Sequence, residues 1–231
     1  MMSSERQDSW NWDDVREDHR QRYVWADERL PRQRLLETGK KDYVAAGLEA
    51  FYGTGYGTAY LTRDYDRYIY GFDGSYEAFA AATDNHSDAN AVFVRASWPE
   101  DMLDILQRRS YFKNDFAVCI ESVEHVEDGV ELLRAMTADL LPGGSLVFST
   151  PNNDLLPKLP LSFPHHVRHY SLVETFGLAN EIGLDIADWA GQDVYKLHDN
   201  GYVASLLDSP IIKSRTPGQF TLVHAVKPTG D

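Results

Sequence analysis

The chain has 231 residues, enough for one α/β domain with a substantial core and short for two. Hydrophobic residues make up 43% and charged residues 25%, the composition of a soluble globular protein. A formal net charge of −14 argues against broad, nonspecific binding to nucleic acid or anionic membranes, because both depend on basic residues, and leaves room for a small basic pocket that reads one end of a nucleic acid.

The lone cysteine, Cys119, rules out an internal disulfide framework; within the apolar run 116–120 it reads as a small buried hydrophobe. The N-terminus is polar with no apolar signal region, and no stretch has the length of a membrane span. A cytoplasmic location with no membrane partner is expected.

Residues 1–20 are polar, carry Trp10 and Trp12, and read as a loose arm with room for a short docking helix. Residues 21–37 look helical around Pro31, with Tyr23, Val24, Leu30, Leu35 and Leu36 as candidate buried positions. After that the pattern alternates. Strands are expected at 43–51, 68–72, 91–95, 116–120 and 145–149, and helices at 58–63, 75–83, 99–108 and 124–140. Pro142-Gly143-Gly144 is expected to end the last of these helices. Residues 151–170 hold four prolines and no period, the mark of a lid or binding loop. Ser171-Leu172-Val173-Glu174 is a capping box opening a helix that Gly183 stops. Strands at 184–189 and 219–226 close the chain, with an irregular excursion between them. The alternation predicts a seven-stranded, mostly parallel sheet with helices on both faces.

Two clusters carry the chemistry. The first is Glu49-Ala50-Phe51-Tyr52-Gly53-Thr54-Gly55-Tyr56-Gly57, between a strand and a helix, where glycines let the backbone approach a ligand. Asp73 ends the next strand, twenty residues after Gly53, where a carboxylate can accept hydrogen bonds from ribose hydroxyls. A tight turn with a capping aspartate is the plainer alternative. A dinucleotide fingerprint calls for glycine three residues after Gly55, and Thr58 stands there, which speaks against a nicotinamide-dependent oxidoreductase.

Four segments resemble the successive motifs of class I S-adenosylmethionine-dependent methyltransferases: residues 49–57, 71–75, 115–126 and 140–152. The resemblance implies a Rossmann-like methyltransferase fold with S-adenosyl-L-methionine as cofactor. It divides the chain into an N-terminal arm and helix (1–40), positioned to cover the cofactor, and the methyltransferase domain (41–231). It further implies cofactor contacts from Glu49, Gly53, Gly55, Asp73, Gly74 and Glu121. Phe51 replaces the family's first glycine and is expected beneath or against the methionine end. Ser97 replaces a frequent aspartate, so Ser97 and Trp98 are expected at the adenine. Tyr23, Trp25 and Tyr56 are candidates to border the pocket, with ordinary packing as the alternative.

The second cluster is Glu121-Ser122-Val123-Glu124-His125 at a strand terminus, followed downstream by His165-His166-Val167-Arg168-His169. Carboxylates with imidazoles suit a divalent ion such as Mg, Mn, Fe or Zn. The Glu-x-x-Glu-His element resembles that of ubiquinone-biosynthesis and small-RNA 2′-O-methyltransferases, which implies metal ligands Glu121, Glu124, His125 and His166. Without a metal, His125, His166 or His169 is the expected general base. Arg168 is a candidate to hold an anionic group, or a plain surface arginine. The function expected is O-methylation of a small-molecule, sugar or nucleotide-type acceptor. A noncatalytic interaction module of the same fold is the alternative that Phe51 keeps open.

Overall fold

The computed structural model describes residues 11–32, 34–35, 41–159 and 162–230. The main sheet has eight strands: β3 (Ala45–Ala50), β4 (Arg67–Asp73), β5 (Ala91–Arg95), β6 (Asn114–Ile120), β7 (Leu140–Pro151), β8 (Asp185–Leu197), β9 (Val203–Ser214) and β10 (Phe220–Val226). Their order is β5-β4-β3-β6-β7-β10-β8-β9, while β1 (Arg34–Leu35) and β2 (Lys41–Tyr43) pair as a separate small sheet. β5, β4, β3, β6 and β7 are parallel; β10, β8 and β9 then alternate in direction. The helices are α1 (Glu17–Asp27), α2 (Tyr56–Thr62), α3 (Tyr76–Asn85), α4 (Glu100–Arg108), α5 (Gly129–Thr137) and α6 (Leu172–Glu181).

The period of two along β6 explains the layers. Ala117 and Cys119 join one apolar cluster with Leu132, Leu133 and Met136 of α5. Phe116, Val118 and Ile120 join another with Tyr23 and Trp25 of α1 and Leu61 of α2. The strand is buried on both faces, as its unbroken apolar run predicts. Strand order reverses between β3 and β6, the point where such sheets open a crevice at the strand ends.

Several expectations change. The first helix begins four residues early, at Glu17, and ends at Asp27. Of its expected core positions Tyr23 and Leu30 are buried, but Val24 is exposed. Leu36, the Leu35 side chain, Trp10 and Pro160 lie outside the described residues. The helix expected at 124–140 is two elements. A 3-10 turn, Val123–His125, ends in extended backbone at Val126, and α5 starts only where the Asp128 side chain accepts from Glu131 N. Pro142-Gly143-Gly144 does not end that helix; it lies inside β7. The excursion before the last strand is not irregular: β8 and β9 form a long hairpin, which adds the eighth strand. The loop 151–170 packs Leu156 and Phe163 on Val194 and Tyr195 of that hairpin and on Phe220 of β10. Among the described residues no helix is long and apolar enough to cross a membrane.

Helix α1 is docked by buried polar groups as well as by Tyr23, Trp25 and Ala26. Arg22, with 0% exposure, bonds Asp18 (3.1 Å) and Gln192 of β8 (2.8 Å) and lies 4.0 Å over the Phe220 ring. At its C-terminal end Asp27 binds Arg32, Arg63 and the fully buried Arg67. Tyr23 enters where Gly57 leaves room: a Cβ on Gly57 would sit 2.0–2.5 Å from the tyrosine ring and hydroxyl. Gly57→Ala therefore sets two effects against each other. Alanine favours the helix by about 1 kcal/mol, whereas overpacking costs about 1–3 kcal/mol. Because the Tyr23 ring is only 4% exposed and cannot swing away, the overlap should win. Urea unfolding should show a lower midpoint for Gly57→Ala, and in a Tyr23→Ala background the same change should become stabilising. Equal effects in both backgrounds would refute the contact.

Candidate active site

A cavity of about 340 Å³ opens at the ends of β3, β4 and β6. The glycine turn forms one wall. Gly53 and Gly55 have φ of 57° and 85°, a region where side chains are strained. A Cβ on Gly53 would meet nothing within 4 Å, so that position borders open space. Gly55 serves packing instead: its Cβ would fall 2.8 Å from that of Ala82 in α3. Asp73 faces the turn, accepting from Gly53 N and Ser75 N, each at 2.9 Å. Phe51, at φ 59°, adopts the left-handed backbone that the replaced glycine would take freely. Its half-buried ring lines the cavity and leaves it open.

Glu49 lies beneath this wall, 1% exposed. It accepts from Tyr23 Oη (2.9 Å) and Thr58 Oγ1 (2.5 Å). Burial pushes its carboxyl up to about 7, against the pull of these two hydrogen bonds toward the ionised form. Its link to the cavity runs through Tyr23, which lines it. His19, one turn earlier on α1, lines it too and bonds Tyr56 Oη at 3.1 Å. Burial and the nearby Arg22 lower His19 to about 3, so it is neutral.

Beyond Glu121 and His125 lies a second cavity of about 40 Å³, which these two residues and His19 share with the first. His166 borders it, and ligand atoms of Glu124, His125 and His166 all lie within 4.8 Å of one another. The break after the 3-10 turn makes this possible. The Glu124 carbonyl is free of a helix and accepts from Val167 N (2.7 Å) and Arg168 N (3.3 Å), stitching the loop to the turn. Burial, then the neighbouring His125 and His169, lowers His166 to about 2; burial lowers His169 to about 4. Both imidazoles are neutral.

The expected site residues thus divide. Phe51, Gly53, Asp73, Glu121 and His125 meet around the larger cavity, and His166 joins at the smaller. Glu121 stands outside the Glu124-His125-His166 group, held by Ser149 Oγ (2.8 Å) and Arg22 (3.4 Å). Gly74, Ser97 and Trp98 do not line either cavity; the Ser97 hydroxyl donates to Asp101 (2.6 Å), and Trp98 packs on the core. Trp25 sits under the Arg29 guanidinium, away from the cavity. Arg168 pairs with Glu174 (2.8 Å) over the Tyr170 ring. His19, Ile120 and His165 line the larger cavity without having been singled out. Only the polar face of α1 hinted at His19, and only once its helix starts at Glu17. A groove of about 570 Å³ along the outside of α2, near Trp12, Tyr60 and Arg63, shares Tyr56 with the larger cavity and holds none of the other expected site residues.

Glu49 gives a pH signature. Its ordinary value is 4.5 and its folded value about 7, so between them only the unfolded chain releases the proton. Stability therefore falls as pH rises from about 4.5 to about 7. The unfolding free energy of wild type minus that of Glu49→Gln should decline across this window and level off above it. A difference that is flat throughout would remove the shifted carboxyl.

Residues 17–195 match a family model described as a methyltransferase domain. No curated protein matches the sequence. Among solved structures, the chain is similar to the YcgJ protein of Bacillus subtilis, with TM-score 0.61, 15% identity, and coverage of 92% of this chain and 100% of that one. It is similar to the N-methyltransferase NodS of Bradyrhizobium japonicum in complex with S-adenosyl-L-homocysteine, with TM-score 0.60, 19% identity, and coverage of 97% and 94%. It also resembles the magnesium protoporphyrin IX methyltransferase of Synechocystis PCC 6803 with the same bound product, with TM-score 0.53, 16% identity, and coverage of 91% and 80%. The likeness to these structures is one of fold; the family match covers most of the chain. The chain belongs to the methyltransferase-domain family.

Proposed function

We propose that the enzyme methylates a hydroxyl of a small molecule, sugar or nucleotide end, assisted by a divalent cation (Mg, Mn, Fe or Zn) held by Glu124, His125 and His166. The observation that carries this reading is the convergence of the buried Glu124 with two imidazoles within 4.8 Å, His125 lining both cavities and His166 the smaller. Two neutral imidazoles with one carboxylate form a donor set suited to Mn, Fe or Zn.

S-adenosylmethionine supplies an electrophilic methyl group, and a divalent cation supplies a Lewis acid that eases loss of a hydroxyl proton. The remaining work falls to the chain. Asp73 offers its carboxylate to the cofactor's ribose hydroxyls from the end of β4. Gly53 keeps the wall open to the ligand, and Phe51, Tyr23 and Ile120 give it apolar surface. Within the expected division at residue 40, α1 serves as the cover through His19 and Tyr23, and the part from residue 41 on serves as the catalytic domain. Phe51 borders the cavity without filling it, which supports a working cofactor site over a noncatalytic module.

Calorimetry should show S-adenosylhomocysteine binding to wild type and a loss of roughly tenfold or more for Asp73→Ala, the cost of about 1.4 kcal/mol of hydrogen bonding. Elemental analysis should find less bound metal in Glu124→Ala and His166→Ala than in wild type. Turnover of a panel of hydroxyl and amine acceptors should favour hydroxyls, stop with chelator and return with one divalent cation. Equal metal in all three proteins, or chelator-resistant turnover of amines alone, would overturn the proposal.

A further inference from the structure

The loop 151–170 does more than bring His166 to the smaller cavity; it sets which nitrogen of that ring carries the proton. A carbonyl oxygen only accepts hydrogen bonds. His169 Nδ1 lies 2.7 Å from the Leu156 carbonyl, so Nδ1 is the protonated nitrogen of this ring. In the neutral imidazole Nε2 then holds a lone pair. That atom is 2.8 Å from His166 Nδ1, which must therefore be the donor. The nitrogen of His166 left for Glu124 and His125 is Nε2, and it carries a lone pair.

We infer that His169, anchored on the Leu156 carbonyl, is a positioning residue that locks His166 in its Nδ1-protonated tautomer and keeps the Nε2 lone pair available beside Glu124 and His125. The opposite tautomer would put a proton where a cation or an acceptor's hydroxyl needs a lone pair. The surroundings fit a lock. His166 is 9% exposed and His169 5%, and the Phe163 ring stacks on His166 at 5.2 Å and 22°. Leu156 is fully buried, and its own N–H is held by the Asn152 carbonyl at 2.7 Å, so the anchor is fixed. The same loop treats His125 alike: its Nδ1 donates to the His165 carbonyl at 3.0 Å. One loop thus sets two tautomers through two backbone carbonyls, and both Nε2 atoms are left for the site.

The inference rests on Glu124, His125 and His166 acting as the reactive cluster, but the tautomers can be read without metal or turnover. Ring-nitrogen NMR spectra of the full chain, labelled with ¹⁵N-histidine at neutral pH, should show His166 and His169 protonated at Nδ1. His169→Phe keeps a ring and removes the acceptor, and should move His166 toward the Nε2-protonated form. His169→Gln restores a carbonyl acceptor and should bring part of the Nδ1 form back. In parallel, cobalt(II) titration should weaken roughly 10–100-fold in His169→Phe and less in His169→Gln. S-adenosylhomocysteine binding should stay unchanged in both, reporting an intact fold. An Nε2-protonated His166 in wild type, or a His166 spectrum indifferent to His169→Phe, would overturn the lock. If wild type binds no cobalt, the cation reading fails, and the tautomer spectra still decide the inference.

Discussion

A guanidinium with no solvent contact constrains where everything near the site can stand. Burying a charge is costly unless it is paired, and Arg22 collects its partners from four places: Asp18 on its own helix, Gln192 on β8, the Phe220 ring on β10 and Glu121 at the end of β6. This register of α1 puts His19 and Tyr23 into the cavity wall. It also draws the Glu121 carboxylate toward Arg22 and Ser149, which leaves Glu124, His125 and His166 to form a group without it. The composition of the Glu124-His125-His166 group is thus decided partly by a helix that contributes nothing to it directly.

The glycine turn shows a second compromise. Left-handed backbone costs a residue with a side chain about 1–2 kcal/mol. Phe51 accepts this strain while its N–H bonds the Phe72 carbonyl at 2.6 Å and its ring packs on the main core. Burying a phenylalanine fully stabilises by about 1.5–3 kcal/mol, so a half-buried ring roughly offsets the strain. Replacing the family's glycine is therefore nearly neutral for the fold, and what changes is the surface the cavity offers.

Much of the architecture could be read from the sequence because it follows from local rules. The unbroken apolar run at 116–120 gave a buried central strand, and the Ser171–Glu174 capping box formed with both reciprocal bonds. The Gly53–Asp73 spacing became a direct hydrogen bond. The failures came where local preference met a distant partner. A continuous amphipathic pattern hid the break at 126–128, because nothing local reveals that Asp128 will cap α5 or that the Glu124 carbonyl is needed by a loop forty residues on. The β8–β9 hairpin was invisible as pattern because β9 is an edge strand with most of its side chains in solvent.

Electrostatics joins these parts. The chain carries a formal charge of −14, yet the His166 and His169 imidazoles near Glu121 and Glu124 are kept neutral by burial. A protonated histidine there would repel both a divalent cation and the sulfonium of the cofactor; a neutral one repels neither. Asp73 lines the larger cavity, where a carboxylate attracts a cationic ligand. Under the proposed reaction that wall would hold an uncharged thioether less strongly than a sulfonium, favouring exchange of spent cofactor for fresh. The neutral imidazoles would at the same time leave lone pairs only on the nitrogens that the loop 151–170 does not engage.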